Sequence, residues 1–150
     1  MGHTYIKLLT HIVFSTKHRQ PFMDSELKPR LFAYMGGIIR EIDGTAILIN
    51  GPSDHVHILA SLPAKAALSD VMRILKTNSS KWVHDTFRNR RKSSWQTGYG
   101  AFSVSQSDLE VVKRYIADRQ ERHRRITFQE EYLSLLKEYG IEYDEQHLWD

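Results

Sequence analysis

Residues 45–62 have the sequence TAILINGPSDHVHILASL, two apolar runs separated by Gly-Pro-Ser-Asp. The runs predict strands at Thr45–Asn50 and His55–Leu62, and the four residues between them predict a turn. Because successive strand residues point to opposite faces of a sheet, the second strand has one apolar face and one face with two histidines. The apolar face, expected to lie under helices, comprises Val56, Ile58, Ala60 and Leu62; the other comprises His55, His57, Leu59 and Ser61.

The flanking segments supply the other elements of the fold. β-Branched and aromatic residues predict further strands at Tyr5–Phe14 and Tyr99–Ser105. Thr127 and Glu130 have the spacing of a helix-capping box. Helical spacing and end signals predict helices at Ser25–Ile42, at Leu68–Phe87, from Ser107 or Asp108 to about Arg124, and from Thr127 to near Gly140.

The order of these elements is β-α-β-β-α-β followed by two helices, which is the split βαβ pattern of ferredoxin-like α+β folds. It predicts an antiparallel sheet with helices packed on one face and the other face left open. Folds of this kind support many activities, so the order of elements does not identify a function.

Length and composition limit the class of protein. At 150 residues the chain is long enough for one domain with a single core, predicted to span residues 1–150. No apolar run approaches the roughly 20 residues of a membrane span, and the N-terminus lacks a signal-peptide pattern. These features predict a cytoplasmic protein without a membrane partner. The chain has no cysteine, which excludes disulfides and thiolate metal sites.

Charge is distributed unevenly along the chain. Residues 1–72 carry 7 Lys/Arg and 6 Asp/Glu, residues 73–125 carry 13 and 5, and residues 126–150 carry 1 and 7. The middle segment therefore has the positive charge expected of a surface for a polyanion. The alternative is a solvated charged face balanced by the tail, which is acidic from about residue 141 and could be docked or mobile.

His55 and His57 are the sharpest local feature of the sequence. They lie two residues apart on a predicted strand, so both imidazoles project from the same, less buried face. Two imidazoles in that arrangement could bind one metal ion. Eight histidines in 150 residues produce such a triplet by chance often enough that two ordinary strand histidines remain the alternative.

Tyr115 lies on the predicted third helix and belongs to its apolar stripe, so a core tyrosine is the simpler interpretation. The charge around it supports a second one. A basic helix around a phenol is suited to holding a phosphodiester. The basic residues are Lys113, Arg114, Arg119, Arg122, Arg124 and Arg125.

A second basic segment precedes the last strand. Trp95 follows it and could stack on a nucleobase, while Lys17 and Arg19 after the first strand could extend the surface. A solvated loop is the alternative. The basic residues of the loop are Arg88, Arg90, Arg91 and Lys92.

Five sequence blocks occur in order along most of the chain, from about His3 to Tyr132. Together they resemble the small single-tyrosine HUH transposases of bacterial insertion sequences and their relatives that act at repetitive palindromic elements. The blocks are HIVFSTKHRQP (11–21), DHVHILASLP (54–63), LSDVMRILK (68–76), GYGAFSVS (98–105) and VKRYIADRQERH (112–123).

The resemblance implies a specific chemistry. Mg²⁺ or Mn²⁺ would bind His55 and His57 and polarise a scissile phosphate. Tyr115 would attack that phosphate, leaving a 5′-phosphotyrosine and a free 3′-hydroxyl, and another 3′-hydroxyl would then rejoin the strands. The implied partners are single-stranded DNA with hairpin elements and a second copy of the chain, whose histidines the nucleophile helix can serve. The candidate DNA contacts are Lys17, Arg19, Arg90, Arg91, Lys92 and Arg119.

One position departs from the family pattern. The family has a glutamine four residues after the tyrosine as its third metal ligand, and this chain has Arg119 there. A guanidinium has no lone pair to donate to a metal ion. Asp118 or Gln120 could take the ligand position instead, with Asp118 nearer to the face of Tyr115.

A non-catalytic module that binds single-stranded nucleic acid is the competing hypothesis. Such modules on the same sheet topology expose aromatic side chains on their central strands for base stacking. Here the corresponding strand presents His55 and His57, which favours the enzyme.

Overall fold

The computed structural model of the chain describes residues 2–119 and 126–150. Its strands are β1 (Leu9–Ser15), β2 (Thr45–Asn50), β3 (His55–Ser61) and β4 (Gly100–Val104), and its helices are α1 (Leu27–Glu41), α2 (Leu68–Thr86), α3 (Leu109–Ala117) and α4 (Phe128–Glu138). The predicted order is confirmed. The third helix was predicted to reach Arg124, but α3 ends at Ala117. Gln120, Arg122, Arg124 and Arg125 lie outside the described residues.

The four strands form one antiparallel sheet in the order β2-β3-β1-β4, so the predicted α+β fold is confirmed. The central pair is β1 and β3, whose register places Val13 opposite His57. The first strand begins at Leu9, not at Tyr5 as predicted. Leu9 pairs with Ser61, the last residue of β3, and Tyr5 and Ile6 before it are exposed.

The main core lies between the sheet and the helices α1 and α2. Leu31, Met35 and Ile39 of α1 and Leu75 of α2 are fully buried there. Burying such a side chain contributes about 1.5–3 kcal/mol, so this face accounts for much of the stability of the fold. The predicted apolar face of β3 belongs to this core in full, as Val56, Ile58, Ala60 and Leu62.

The opposite face of the sheet was expected to be open, and that expectation is wrong. Helix α3 packs Ile116 against Leu9 and Leu59, and α4 packs Phe128 against Val13. These strand residues are apolar and would otherwise be exposed to water. The predicted capping box is present at the start of α4. The Thr127 side chain accepts a hydrogen bond from the Glu130 backbone N–H, and the Glu130 carboxylate accepts one from the Thr127 backbone N–H.

The acidic tail ends in a docked segment. Trp149 packs beside Phe128 and Tyr132: its ring centroid lies 6.1 Å from that of Phe128 and 5.9 Å from that of Tyr132. The Asp150 carbonyl accepts hydrogen bonds from the Gly98 N–H and the Gln96 side-chain amide. Among the residues that the structure describes, no helix combines the length and hydropathy that a membrane crossing needs.

Candidate active site

The two histidines of β3 project from the same face of the sheet, as strand alternation predicts. Both ring Nε2 atoms lie against one carboxylate oxygen, Glu131 Oε1, at 3.0 Å for His55 and 2.9 Å for His57. The expectation of a less buried location is wrong, because α3 and α4 cover this face. The exposed fractions are 2% for His55 and 0% for His57.

Glu131 is the centre of the site. Its Oε1 faces both histidines, and its Oε2 accepts a hydrogen bond from the Tyr115 hydroxyl at 2.5 Å and another from Arg119. Burial alone would raise the pKa of Glu131, but the hydrogen bonds from His55 and His57 outweigh it and hold the pKa well below its usual range. The buried carboxylate is therefore ionised.

Sequence reasoning missed Glu131, although a signal for it was present. Glu131 lies between Phe128 and Tyr132 on the stripe that α4 turns toward the sheet, and Leu135 continues that stripe one turn later. A carboxylate on a stripe of otherwise apolar residues must find partners, since an unpaired buried charge is strongly destabilising. Those partners come from β3 and α3.

Two further side chains support the histidines from behind. Asp54 Oδ1 lies 2.8 Å from His55 Nδ1, and His11 Nε2 lies 2.9 Å from His57 Nδ1. Burial lowers the pKa of His11 to about 3, so this ring is neutral and can accept a hydrogen bond. In the arrangement seen, both Nε2–H groups donate to Glu131 Oε1. A cation bound between them would replace those Nε2 protons, and donation through Nδ1 to Asp54 and His11 would then hold both rings in place.

Tyr115 is held against the histidines of its own chain. Its ring centroid is 5.9 Å from those of His11 and His57. Asn50 of β2 donates to the carbonyls of Ile116 and Ala117 and so fixes the end of α3. Burial, with the adjacent Glu131 carboxylate, raises the pKa of Tyr115 above its ordinary value, so the phenol is protonated in this arrangement.

Arg119 is part of this cluster and not of the outer surface. It is 3% exposed, its Nε donates to the Tyr115 carbonyl at 2.8 Å, and its Nη1 donates to Glu131. Its guanidinium carbon lies 3.5 Å from the centroid of the Tyr115 ring. Nη2 is buried and has no hydrogen-bond partner among residues 2–119 and 126–150. The predicted DNA contact through Arg119 would have to form inside the site.

The carboxylate that meets the two histidines belongs to Glu131 and not to Asp118. Asp118 is exposed and lies outside the group that could hold a metal ion, which in the described part of the chain consists of His55, His57 and Glu131. Gln120, the other residue considered from sequence, lies outside the described residues.

The three side chains fit a divalent cation. An octahedral ion with bonds of about 2.1 Å separates neighbouring ligand atoms by about 3.0 Å. The observed Nε2–Oε1 distances are 3.0 and 2.9 Å, and all three ligand atoms lie within 4.8 Å of one another. Two imidazoles and one carboxylate also leave open positions for substrate oxygens.

Four of the basic residues predicted to bind DNA line two clefts. Arg90 and Lys92 line one of about 480 Å³, Arg19 lines a second of about 440 Å³, and Lys17 lines both. Arg91 is exposed. Among the residues of the clefts, Arg90 forms ion pairs with Asp24 and Glu26.

Trp95 is not available for base stacking, so that expectation is wrong. It is 9% exposed, its ring packs edge-on against Phe14, and its Nε1–H donates to Ser79 Oγ at 3.0 Å. The residue therefore anchors the basic loop to the main core.

Comparison with known families matches residues 4–119 to the family described as "Transposase IS200 like". The chain belongs to the IS200-like transposase family. The match includes His55, His57, Tyr115 and Arg119, but it ends before Glu131. Membership assigns the chain to a family of enzymes of DNA transposition.

Individual relatives are distant but cover most of the chain. The IS200 transposase of Salmonella typhimurium is 27% identical over 120 residues, which are 74% of this chain and 76% of that one. The ISDra2 transposase TnpA of Deinococcus radiodurans is 21% identical over 126 residues, which are 81% and 89% of the two chains.

Two solved structures share the fold of this IS200-like transposase. A transposase structure from Deinococcus radiodurans aligns with a TM-score of 0.65 and 21% identity, covering 80% of this chain and 97% of that one. A REP-associated tyrosine transposase bound to a REP hairpin aligns with a TM-score of 0.62 and 15% identity, covering 82% and 73%.

Proposed function

We propose that this IS200-like transposase cleaves and rejoins single-stranded DNA through a covalent bond to Tyr115. The observation that carries the proposal is the meeting of the Tyr115 hydroxyl and both histidines at the Glu131 carboxylate. A hydroxyl nucleophile beside two histidines that could hold a metal ion is an arrangement suited to phosphodiester transfer. His55 and His57 would hold Mg²⁺ or Mn²⁺, which supplies polarisation of the scissile phosphate when bound.

The proposed step exchanges one phosphodiester for another. Tyr115 Oη forms a bond to phosphorus while the bond from phosphorus to O3′ breaks, giving a 5′-phosphotyrosine and a 3′-hydroxyl. Glu131 Oε2 lies 2.5 Å from the phenol oxygen and would orient it, while the phenol proton leaves to solvent and O3′ takes a proton from solvent. Attack by another 3′-hydroxyl reverses the same exchange and rejoins DNA, so no high-energy cofactor is needed.

The DNA would be held by the two basic clefts and by Arg119. A REP hairpin is bound by one protein of the same fold, which supports a hairpin partner for this chain. Lys17, Arg91 and Lys92 are exposed and would contact backbone phosphates, with Arg19 extending the path. Within the site, Nη2 of Arg119, which has no hydrogen-bond partner in the described part of the chain, would donate to an oxygen of the scissile phosphate.

A denaturing gel with end-labelled hairpin DNA and Mn²⁺ tests the nucleophile. Wild-type protein should form a covalent adduct and Tyr115→Phe should form none, while hairpin binding persists. Tyr99→Phe is the matched control, because Tyr99 is half-buried next to Lys76 and lies away from the histidines. Adducts that persist in Tyr115→Phe would exclude the proposed nucleophile. Hairpin binding without any wild-type adduct would favour the non-catalytic module.

The homodimer and the cytoplasmic location stay predictions. Tyr115 lies beside the histidines of its own chain, so one chain contains a complete set of the proposed groups. We therefore expect a mixture of His57→Ala and Tyr115→Phe to regenerate little cleavage, unless dimer formation exchanges α3 between subunits. Light scattering beside the mixing experiment would separate the two cases.

A further inference from the structure

Glu131 comes from a part of the chain that the family match does not cover. The match ends at Arg119, and Glu131 lies on α4 after it. Even so, its carboxylate contacts both histidines, the tyrosine and the arginine of the site. No other carboxylate in the described part of the chain joins the two histidines as a candidate metal ligand.

Arg119 and Glu131 form a matched pair. Arg119 stands where the resemblance implies a neutral glutamine, and it cannot donate a lone pair to a metal ion. A carboxylate and a guanidinium together carry no net charge, so the pair leaves the site as neutral as a single amide would. The carboxylate also offers the anionic oxygen that Mg²⁺ and Mn²⁺ prefer.

The two carboxylate oxygens of Glu131 have different partners. The Arg119 side chain is anchored at the Tyr115 carbonyl through Nε and reaches Glu131 Oε2 through Nη1. That contact turns Oε1 toward the two histidine Nε2 atoms. An arginine that orients a carboxylate in this way acts on the metal only through that carboxylate.

We propose that Glu131 is the third metal ligand of this protein, and that Arg119 is the positioning residue that holds its carboxylate against His55 and His57. The third ligand would thus come from α4 and not from the residues directly after Tyr115. This inference rests on the metal-dependent chemistry proposed above. The opposing idea is that Glu131 is a plug, a carboxylate that occupies the place of the scissile phosphate and must leave before DNA can enter.

Binding of Mn²⁺ to the full chain without DNA, followed by electron paramagnetic resonance, tests the ligand directly. Glu131→Gln should weaken Mn²⁺ binding by about tenfold or more, since lost supporting contacts alone cost 10–100-fold at metal sites. Glu130→Gln makes the same change of charge on the same helix, is exposed, and keeps a residue that the capping box accepts. It should leave Mn²⁺ binding within about twofold of wild type.

A second variant separates loss of the ligand from loss of folding. Glu131→Gln leaves Arg119 buried without its anion, whereas Arg119→Gln combined with Glu131→Gln removes both charges and returns an amide to the family's ligand position. The double variant should bind Mn²⁺ more tightly than Glu131→Gln does. Thermal unfolding without metal, recorded for each variant, identifies any protein that is not folded.

The outcomes distinguish this inference from the proposed function. If His57→Ala weakens Mn²⁺ binding and folded Glu131→Gln does not, Glu131 is not a ligand and the inference is overturned. Adduct formation that rises in Glu131→Gln at low Mn²⁺ would overturn it in favour of the plug. If His57→Ala also binds Mn²⁺ like wild type, the metal centre itself is wrong and both ideas fall.

Discussion

The two faces of the sheet are both buried, but by different chemistry. The face under α1 and α2 is apolar, as Ile58 and its neighbours illustrate, and its burial is favourable without any partner-specific contact. The face under α3 and α4 contains His11, His55 and His57 in the middle of apolar clusters. Polar groups there are tolerated only because they pair with one another around Glu131. The stability of the second face therefore depends on this hydrogen-bond network as well as on the apolar area that it buries.

The largest effect on stability should come from breaking that network at its centre. Glu131→Ala would leave Arg119 as an uncompensated buried charge, which costs about 3–5 kcal/mol. Urea unfolding followed by circular dichroism measures the change in the free energy of unfolding. Glu142→Ala, an exposed glutamate of the tail, is the control and should change that free energy by less than about 0.5 kcal/mol.

Replacing both charges should cost much less than replacing one. A well-packed apolar pair in place of a buried ion pair is often neutral or stabilising. We expect Arg119→Met with Glu131→Leu to unfold at a higher urea concentration than Glu131→Ala, while its capacity for adducts is lost. A double variant as unstable as the single one would show that the polar network, and not the unpaired charge, sustains this face.

A truncation on the apolar face should lower the free energy of unfolding without reducing adduct formation. Ile58 is fully buried among α1 and α2, so Ile58→Ala should lower the free energy of unfolding by about 2–5 kcal/mol. Its side chain points away from the histidines, so folded protein should form adducts at the wild-type rate. A lower rate at temperatures where the variant is fully folded would mean that packing on one face controls geometry on the other.

The helix that carries Glu131 can be weakened without touching the site. Thr127→Ala removes the capping side chain of α4, which should cost about 1 kcal/mol. Because Glu131 is four residues from the cap, Mn²⁺ binding should weaken slightly along with stability. Urea unfolding and Mn²⁺ titration of the same preparation measure both. Thr127→Ser retains the capping hydroxyl and should behave like wild type.

The contrast between the faces also explains what the sequence could and could not predict. The strands and helices were predictable because their signals are local: alternation in β3, the turn at Gly51, and the capping box at Thr127 and Glu130. The apolar face of β3 followed from the same alternation. The pairing of His55 and His57 on the other face was predictable for this reason too.

The rest of the site depends on contacts between residues far apart in the chain. His11 and His57 are 46 residues apart, and His57 and Glu131 are 74 apart. No periodicity shows that α4 folds back over the sheet and delivers a carboxylate to the histidines. The prediction of an open face was wrong for the same reason, because no local pattern shows that α3 and α4 pack on the sheet. Arg119 differs from the glutamine that the resemblance implies, but its partner could be found only in three dimensions.

The smallest effects should come from the exposed clefts, where charges are solvated and each contact is weak. Lys92 is exposed, so Lys92→Ala should reduce hairpin affinity at low salt and make log Kd less dependent on log salt by about 0.7–0.9 for a single lost phosphate contact. Arg90→Ala should change that slope less, because Asp24 and Glu26 already offset the charge of Arg90.

Lys65→Ala is the control, since Lys65 pairs with Asp43 and follows the C-terminal end of β3, opposite to the clefts. Fluorescence anisotropy with a labelled hairpin at several salt concentrations measures the three slopes. Equal slopes for all three variants would mean that the clefts contribute only diffuse charge, and the DNA path would then have to be sought elsewhere on the surface.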